Sequence, residues 1–482
     1  MVAAFARVLM KGLSLRIWWM MVAGAIMAAA ISPVFAADDN EQVSLLRDAE
    51  IEETLRDFMT PLMKVAGLEA EKLQIYLIKS PEINAAASIG PSLFMNSGLI
   101  TRSKDVGQVL GVLAHEVGHM AGGHIVRMVG VQKKLSLATL AGIVLGTAAG
   151  IAARSGELAS ALALGSSHVG EQAFLHYSRG QEAAADQAAA RFLDRLHWSP
   201  QGLLDFLKLL EKQDLLDIRR QDPYRRTHPL TGERIAFFNH HCKQSPYIGQ
   251  PWPTAMEQRY ERMKIKLIAF IEAPGRILSQ YPASDTTVIG RLARVIALHR
   301  NQKPNESLAL LDALIKESPS DPYLIELKGQ ILMESGRITE ASHFYQKALS
   351  QKPDSDLIRI AYAQALLEQP ESVQLSDLAL RELNRVSIRE HDNSFLWRLR
   401  ASAYGRLGRM GMMALMLAEE ASSRRDQKAA RTQAERALKL LGKQGEEAKA
   451  RMRAQDILND ITVNKEENDA SLFLSPATQK RQ

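Results

Sequence analysis

The feature that most constrains this sequence is the pentapeptide HEVGH at residues 115–119. It lies in a stretch that we predict to form a helix from Lys104 to about Met128, with Ser103 as its cap. The apolar face of this helix repeats at helical spacing and consists of Val106, Leu110, Leu113 and Val117. Because residues four apart lie on one face of a helix, His115 and His119 can present their rings to one metal ion.

The residue types in this pentapeptide suit zinc chemistry. Imidazole nitrogens are common zinc ligands, with bonds of about 2.0–2.1 Å. Glu116 is rotated about 100° around the helix from the first histidine, which places its carboxylate beside the expected ion. A carboxylate there can act as a general base, taking a proton from water as the water attacks a peptide carbonyl. The pattern therefore predicts an endopeptidase with a zinc site and Glu116 as its catalytic base.

A second helical segment supplies groups that the pentapeptide lacks. Residues 178–186 read SRGQEAAAD, so Glu182 and Asp186 lie one turn apart on the same face. We predict that Glu182 is the third metal ligand, as in a catalytic site of two histidines and one glutamate. We predict that Asp186 accepts a hydrogen bond from the distal N–H of a ligand histidine and so supports catalysis. The alternative is a solvated pair of carboxylates on a surface helix.

Together, HEVGH and SRGQEAAAD resemble the motifs of the HtpX and CAAX-prenyl-protease-like family of zinc metallopeptidases. The resemblance covers about residues 43–235 and includes the stretch from Asn84 to Leu99, which is similar to the family's region before the metal helix. It implies that Glu116 is the catalytic base. It also implies one zinc ion per chain, with the ligands His115, His119 and Glu182.

Two further histidines follow these motifs. Thr227-His228-Pro229 resembles the His-Pro segment that comes after the zinc ligands in this family. We predict that His228 approaches the metal from its open side, where it either donates to an oxyanion or occupies the fourth metal position. A surface-loop histidine is the alternative. His124 lies five residues after His119, so we predict that it points to another face of the helix as a structural residue.

The first 36 residues have the pattern of a secretory signal peptide. An apolar stretch at residues 17–31 follows a basic start formed by Arg7, Lys11 and Arg16. Val34 and Ala36 then occupy the −3 and −1 positions of a cleavage site. The sequence therefore predicts export to an oxidising space such as the periplasm, with an uncleaved membrane anchor as the alternative.

Composition argues against several other classes of function and site. The chain of 482 residues has a formal net charge of +6 and no basic cluster with interleaved aromatics, so we predict no nucleic-acid partner. Its single cysteine, Cys242, excludes an internal disulfide and a thiolate zinc site. Nothing around Cys242 resembles an activated nucleophile, so we predict that it is structural.

Residues 135–153 contain no charged residue and are long enough to cross a membrane. Their high content of Ala and Gly favours a buried or interfacial helical hairpin, which would suit a mobile lid. We therefore predict peripheral membrane contact through residues 135–166. A true membrane span is the alternative.

Two segments before the metal helix have the apolar and aromatic content of strands. They are Leu73–Ser80 and Ser92–Ile100, separated by a turn at Gly90-Pro91. We predict that the second strand offers an unpaired edge to an extended peptide, which would select unfolded segments over particular side chains. A fully paired interior strand is the alternative.

Beyond about residue 285, the spacing matches the 34-residue tetratricopeptide repeat. The clearest unit runs from Pro322 to Pro353, a weaker unit ends at Pro319, and another begins at Trp397. Residues 369–392 fit the spacing poorly. Stacked helical pairs of this kind form a curved surface that holds protein segments, and a plain helical domain is the alternative.

These patterns predict a mostly α-helical protein, in which a zincin-like metallopeptidase domain with a small β-sheet precedes a C-terminal α-solenoid of tetratricopeptide repeats. The expected boundaries are a signal peptide at 1–36, a peptidase domain at 37–245, a linker at 246–285, a solenoid at 286–462 and a disordered tail at 463–482.

The combination of export signal, zinc peptidase domain and repeat array resembles periplasmic proteases of outer-membrane protein quality control. This resemblance implies that the substrates are unfolded, misfolded or stalled outer-membrane proteins. It also implies that the repeats bind clients or the outer-membrane assembly machinery. Two alternatives stay open: a chaperone or scaffold in which the repeats dominate, and a membrane-embedded protease with residues 135–153 as its span.

Overall fold

The structure is a computed structural model that describes residues 44–88, 90–124, 179–212 and 223–473. The expected signal peptide and the uncharged stretch at 135–153, with the membrane contact assigned to 135–166, lie outside the described residues. Within the described part of the chain, no helix is both long and apolar enough to cross a membrane.

The first half of the described chain combines a four-stranded sheet with helices. Its strands are β1 (Leu45–Leu46), β2 (Gln74–Ile78), β3 (Ala85–Ser88) and β4 (Ser92–Asn96). Its helices are α1 (Ala49–Val65), α2 (Ser97–Arg102), α3 (Val106–Ala121), α4 (Arg179–Arg195), α5 (Gln201–Glu211), α6 (Pro223–Thr227) and α7 (Gly232–Gln244). One turn of 3-10 helix (Ala70–Lys72) precedes β2.

The strands are ordered β1-β2-β4-β3, so β4 lies inside the sheet. It pairs in parallel with β2 and antiparallel with β3, while β1 pairs antiparallel with β2. The prediction that Ser92–Ile100 offers an unpaired edge is therefore wrong, and the interior-strand alternative is correct. The strand is also shorter than expected, because α2 begins at Ser97. The edge strand next to β4 is β3.

The metal helix α3 differs at both ends from the prediction. Its cap is Asp105, whose carboxylate accepts a backbone N–H of the first turn. Ser103 instead donates its hydroxyl to a carbonyl of α2 and closes that helix. At the other end, α3 stops at Ala121 because Gly122 and Gly123 reverse the chain, with Gly123 at a φ of 60° that favours glycine.

Apolar faces of α1, α3 and α5 pack together with one face of the sheet to form the core of this half. The apolar face predicted for α3 is buried along its whole length. Cys242 in α7 belongs to the same core, at 7% exposure. Burial raises the pKa of its thiol to about 11, so the thiol stays protonated at neutral pH, which agrees with a structural role.

The second half of the chain is helical throughout the described residues. It opens with α8 (Thr254–Ile271) and α9 (Pro274–Gln280). The following helices are α10 (Val288–Arg300), α11 (Pro304–Glu317), α12 (Pro322–Glu334), α13 (Ile338–Gln351), α14 (Asp356–Glu368), α15 (Val373–Leu383), α16 (Ser394–Arg406), α17 (Met410–Ser423), α18 (Gln427–Leu440) and α19 (Gly445–Phe473). From α10 onward each helix packs against the next, as in an α-solenoid.

This architecture confirms the predicted fold class of a mostly helical protein with a small sheet and a C-terminal solenoid. Residues 369–392 fit the repeat spacing poorly because α15 is short and a turn of 3-10 helix (Ile388–Glu390) interrupts the connection to α16. Residues 463–473, which were expected to belong to a disordered tail, instead continue α19. Residues 474–482 lie outside the described part.

Buried ion pairs join the two halves at α1 and α8. Lys266 of α8 is only 1% exposed, and its Nζ lies 2.7 Å from Asp48 and 3.2 Å from Glu50. Arg262, one turn earlier, bridges Glu50 to Asp321, the cap of α12. Burial by itself lowers the pKa of Lys266, but the Asp48 and Glu50 carboxylates outweigh it and raise the pKa, so the ammonium stays charged.

We expect the Lys266→Met substitution to destabilise the protein by about 3–5 kcal/mol, because it leaves the shielded Asp48 carboxylate without its cation and Glu50 with Arg262 alone. The midpoint of urea unfolding measures this change. The matched control is Lys72→Met, since Lys72 forms an exposed pair with Glu69 and should change stability little. Equal effects of the two substitutions would contradict the role assigned to the buried pair.

Candidate metal centre

Four buried side chains converge between α3, α4 and the residue that follows α6: His115, His119, Glu182 and His228. One ligand atom of each lies within 4.8 Å of the others. The Nε2 atoms of His115 and His119 are 3.0 Å apart, and the Glu182 oxygens lie 3.4 and 3.2 Å from them. The structure thus brings together the three residues that the sequence predicts as ligands, and adds His228 to them.

The glycine of HEVGH allows this convergence. A Cβ atom at Gly118 would lie 2.7 Å from the carbonyl oxygen of Ala185 in α4, which is too close for a real side chain. The bare backbone of α3 at Gly118 therefore permits α4 to cross at short range. Glu182 lies one turn before this crossing and so reaches the two histidines of α3.

The geometry and donor set fit a divalent metal ion. Ligand atoms about 3.3 Å apart are expected around a tetrahedral ion with bonds of about 2.0–2.1 Å. The three shortest separations among His115, His119 and Glu182 bracket that value, at 3.0, 3.2 and 3.4 Å. Imidazole and carboxylate donors without thiolate suit zinc and neighbouring divalent metals.

Asp186 and Arg234 contact the predicted ligands His115 and Glu182. Asp186 Oδ1 lies 2.9 Å from His115 Nδ1, the contact that the spacing predicts for it. Arg234, in the first turn of α7, places its Nε 2.7 Å from Asp186 Oδ2 and its Nη1 2.7 Å from Glu182 Oε2. A buried guanidinium therefore bridges both carboxylates of α4.

These contacts set the charges of the site. Burial raises the pKa of Glu182 and of Asp186, but nearby cations, with Arg234 common to both, outweigh it and hold both pKa values below their usual range. Burial lowers the pKa of His115, but Glu182 and Asp186 outweigh it and raise that pKa to about 9. Burial dominates at His119 and holds its pKa well below the usual value. Without a metal ion, His115 is therefore charged at pH 7 and His119 is neutral.

His124 lies against the ligand His119, so the prediction that it points to another face is wrong. Its Nδ1 atom is 3.0 Å from His119 Nδ1. Helical spacing does not apply, because α3 ends at Ala121 and Gly122-Gly123 turns the chain back. Nε2 of His119 faces the other predicted ligands, and a hydrogen bond between its Nδ1 and His124 would fix the tautomer of His119.

His228 completes the cluster. It is fully buried, which excludes the surface-loop alternative. Its Nδ1 lies 3.1 Å from Glu182 Oε1 and 3.4 Å from His115 Nε2, while its Nε2 lies 3.6 Å from Glu116 Oε1. The ring therefore stands between the ligands and Glu116, on the open side that the sequence predicts.

Tyr224 stacks on His228 and was not singled out from the sequence. The two ring centroids are 4.3 Å apart with an interplanar angle of 19°. The helical hydrogen bond from the His228 N–H to the Tyr224 carbonyl continues α6 by one residue. The four-residue separation of the two rings was the available signal, because it places them on one helix face.

Glu116 is held by the edge strand of the sheet. Its Oε2 accepts the backbone N–H of Ala87 in β3 at 2.8 Å. In the described part of the chain, no donor lies within hydrogen-bond distance of Oε1. Burial raises the pKa of Glu116, against smaller opposing effects of His228, His115 and the Ala87 N–H. Oε2 of Glu116 is thus held by a hydrogen bond, whereas Oε1 faces His228 of the cluster.

We expect metal uptake at pH 7 to release about one proton, because the ion must displace the proton that the raised pKa keeps on His115. Since that pKa is about 9, the competing proton leaves as pH rises, and affinity should increase about tenfold per pH unit below pH 9. Calorimetric titration in two buffers of different ionisation enthalpy counts the proton.

The matched variant is Asp186→Asn, which removes one of the groups that raise the pKa of His115 and should reduce the proton release. Metal affinity that is constant between pH 6 and pH 8 would contradict this account of the site.

The chain matches a known peptidase family over the segment that contains this centre. Residues 46–241 match the model of peptidase family M48 and include every residue of the centre described above. This segment of the chain is therefore similar to peptidase family M48.

Over most of its length, the chain is similar to proteins named beta-barrel assembly-enhancing protease. It is 26% identical to that of Yersinia pestis over 345 residues, which cover 68% of this chain and 67% of the relative. It is 22% identical to that of Escherichia coli K12 over 374 residues, which cover 74% and 73%. These matches confirm the resemblance inferred from the HEVGH and SRGQEAAAD motifs.

Among solved structures, the chain is similar to the crystal structure of the APC/C hetero-tetramer Cut9-Hcn1. The identity is 12%, the match covers 69% of this chain and 76% of the other, and the TM-score is 0.24. The α-solenoid is instead defined by the packing of successive helices within this chain.

Proposed function

We propose that this chain is an exported zinc metalloendopeptidase that hydrolyses peptide bonds in unfolded or misfolded proteins. The observation that carries the proposal is the buried cluster of His115, His119 and Glu182, with Glu116 beside it. The similarity to peptidase family M48 supports a metal-dependent peptidase. The donor set of two imidazoles and one carboxylate supports zinc as the metal.

Glu116 acts as the general base. A zinc ion held by the three ligands would polarise the peptide carbonyl and lower the pKa of water. The anchored oxygen of Glu116 stays on the Ala87 N–H, so Oε1 takes the proton from the attacking water and passes it to the leaving amine. Burial favours this transfer, because it raises the pKa of the carboxylate.

Asp186 and Arg234 keep the ligand set in place. The Asp186 carboxylate, 2.9 Å from His115 Nδ1, is placed to accept the Nδ1–H of His115 and so to direct Nε2 towards the ion. Arg234 balances the charge of both carboxylates, so Glu182 stays ionised as a ligand despite its burial. Neither residue touches the peptide bond in this scheme, and both act through the ligands.

His228 has two consecutive roles in this proposal. Its ring stands on the open side of the ligands, so it restricts access in the substrate-free protein. Cleavage then requires the ring to move away from Glu182. In the displaced position, His228 donates an N–H to the oxyanion that forms on the peptide carbonyl.

The edge strand β3 binds the substrate as an added strand. In an antiparallel pair, the backbone groups of alternate residues point away from the partner strand. Asn96 donates to the carbonyl of Asn84, so Ala85 and Ala87 carry the groups that point away from β4. Ala85 is 1% exposed, so pairing with this edge occurs in a shielded site. Such pairing recognises extended backbone and therefore unfolded segments.

The solenoid is proposed to hold client proteins or components of the outer-membrane assembly machinery. The names of the relatives supply the link to β-barrel assembly. Ion pairs at α1 and α8 fix the solenoid against the half that carries the metal centre, which supports a combined role in binding and cleavage. The signal-peptide pattern of residues 1–36 supports a periplasmic location.

We expect the Glu116→Gln substitution to reduce cleavage of casein by about 10²- to 10⁴-fold, because the amide cannot accept the proton of the attacking water. Zinc content, measured by mass spectrometry of the purified protein, should stay unchanged because Glu116 is not among the ligands.

The matched control is Glu257→Gln on α8, an exposed glutamate that should leave cleavage unchanged. Cleavage by Glu116→Gln at the control rate would refute the assignment of the base. A wild-type protein that binds zinc but cleaves no unfolded protein would favour the scaffold alternative.

A further inference from the structure

The outward edge of β3 carries a limited set of backbone groups. The odd-numbered residues point away from β4, since Asn84 and Asn96 form a hydrogen-bonded pair across the two strands. These outward residues are Ile83, Ala85 and Ala87. Each offers one N–H and one carbonyl to whatever lies beside the strand.

Two of these outward groups already have partners within the described residues. The Ile83 carbonyl accepts the N–H of Tyr224, which ties the strand to α6 and so to His228. The Ala87 N–H donates to Glu116 Oε2 at 2.8 Å. No described residue bonds to the outward groups of Ala85. Among the described residues, the edge is thus hydrogen-bonded at Ile83 and Ala87, while the buried Ala85 between them has no outward backbone partner.

The Ala87 hydrogen bond is buried, and it is charge-assisted when the Glu116 carboxylate is ionised to act as the base. Ala87 and Glu116 are 1% and 0% exposed, so no bulk water competes for this contact. Hydrogen bonds to an ionised acceptor are about twice as strong as those between neutral groups. The bond therefore fixes the rotation of the Glu116 carboxylate, and with it the direction of Oε1 towards the cluster.

We propose that Ala87 is a positioning residue whose backbone N–H orients the catalytic base, so that one strand both pairs with the substrate and aims Glu116. The inference rests on the proposed role of Glu116 and deepens it. It gives different roles to the two neighbouring outward N–H groups, because the Ala85 N–H binds peptide and the Ala87 N–H holds the base. The side chain of Ala87 has no part in either role.

Proline substitutions test whether the Ala85 and Ala87 N–H groups have different roles, because proline removes a single backbone N–H. An edge strand tolerates proline where the N–H points away from the ladder, as at both Ala85 and Ala87. We expect Ala87→Pro to lower kcat by about tenfold to hundredfold, since a misdirected base loses its alignment. KM and zinc content should stay close to their wild-type values.

The matched variant Ala85→Pro should show the opposite pattern. Loss of one backbone hydrogen bond to the peptide should raise KM by about fivefold, with kcat nearly unchanged. Both variants are measured on the full mature chain with one fluorogenic peptide. If Ala87→Pro raises KM and spares kcat as Ala85→Pro does, the Ala87 N–H is only another substrate contact and the proposal is wrong.

Amide hydrogen exchange tests the contact between the Ala87 N–H and Glu116 without a proline substitution and without an activity assay. In Glu116→Ala the Ala87 amide loses its acceptor and should exchange faster, whereas the Ala86 amide, which bonds to β4, should stay protected. Unchanged protection of Ala87 would overturn the proposal. If Glu116→Gln still cleaves protein, the assigned function fails instead, and the exchange result still reports on the contact between Ala87 and Glu116.

Discussion

Two carboxylates, Glu182 and Asp186, are buried on one face of α4 beside the histidines of α3, and Arg234 makes this arrangement stable. A single buried charge without a partner is destabilising by several kcal/mol. The guanidinium of Arg234 pairs with both carboxylates, and Asp186 Oδ1, which it contacts, also lies 2.9 Å from His115 Nδ1. The position of α7, which carries Arg234, is therefore as necessary to the metal centre as the ligand helices themselves.

The same constraint extends to the sheet. Glu116 is a third buried carboxylate of the site, and the Ala87 N–H of β3 is its hydrogen-bond donor. The Tyr224 N–H donates to the carbonyl of Ile83, two residues before the start of the same strand. Glu116 and the segment that carries His228 are thus both hydrogen-bonded to β3 or to the residues just before it. If β3 binds peptide as proposed, this connection holds the substrate and Glu116 to the same strand.

The parts of the site that the sequence predicts are those that follow from helical spacing within one element. His115 with His119, and Glu182 with Asp186, are each four residues apart, so their shared face is a local property. Arg234, His124 and Ala87 depend on how separate elements pack, and no local pattern reports this. The prediction for His124 was wrong because it continued the helix past Gly122-Gly123. The predicted cap of α3, Ser103, was also wrong, because the nearby Asp105 caps this helix.

The fold shows the same division. A 34-residue period predicted the solenoid, since each unit repeats its own local packing. The irregular connection after α15 breaks this period, so residues 369–392 were not recognised as part of the repeats. Strand order within the sheet is a long-range property, so β4 was taken for an edge although β3 covers it.

X-ray absorption at the zinc edge tests the central claim most directly, because it reports the ligands of the ion. We expect about one zinc per purified chain, with imidazole nitrogen and carboxylate oxygen ligands at about 2.0–2.1 Å and no sulfur. Substitution of Glu182 by Ala should lower the zinc content and remove the carboxylate contribution. Full zinc content with an unchanged spectrum in that variant would contradict the three-ligand centre.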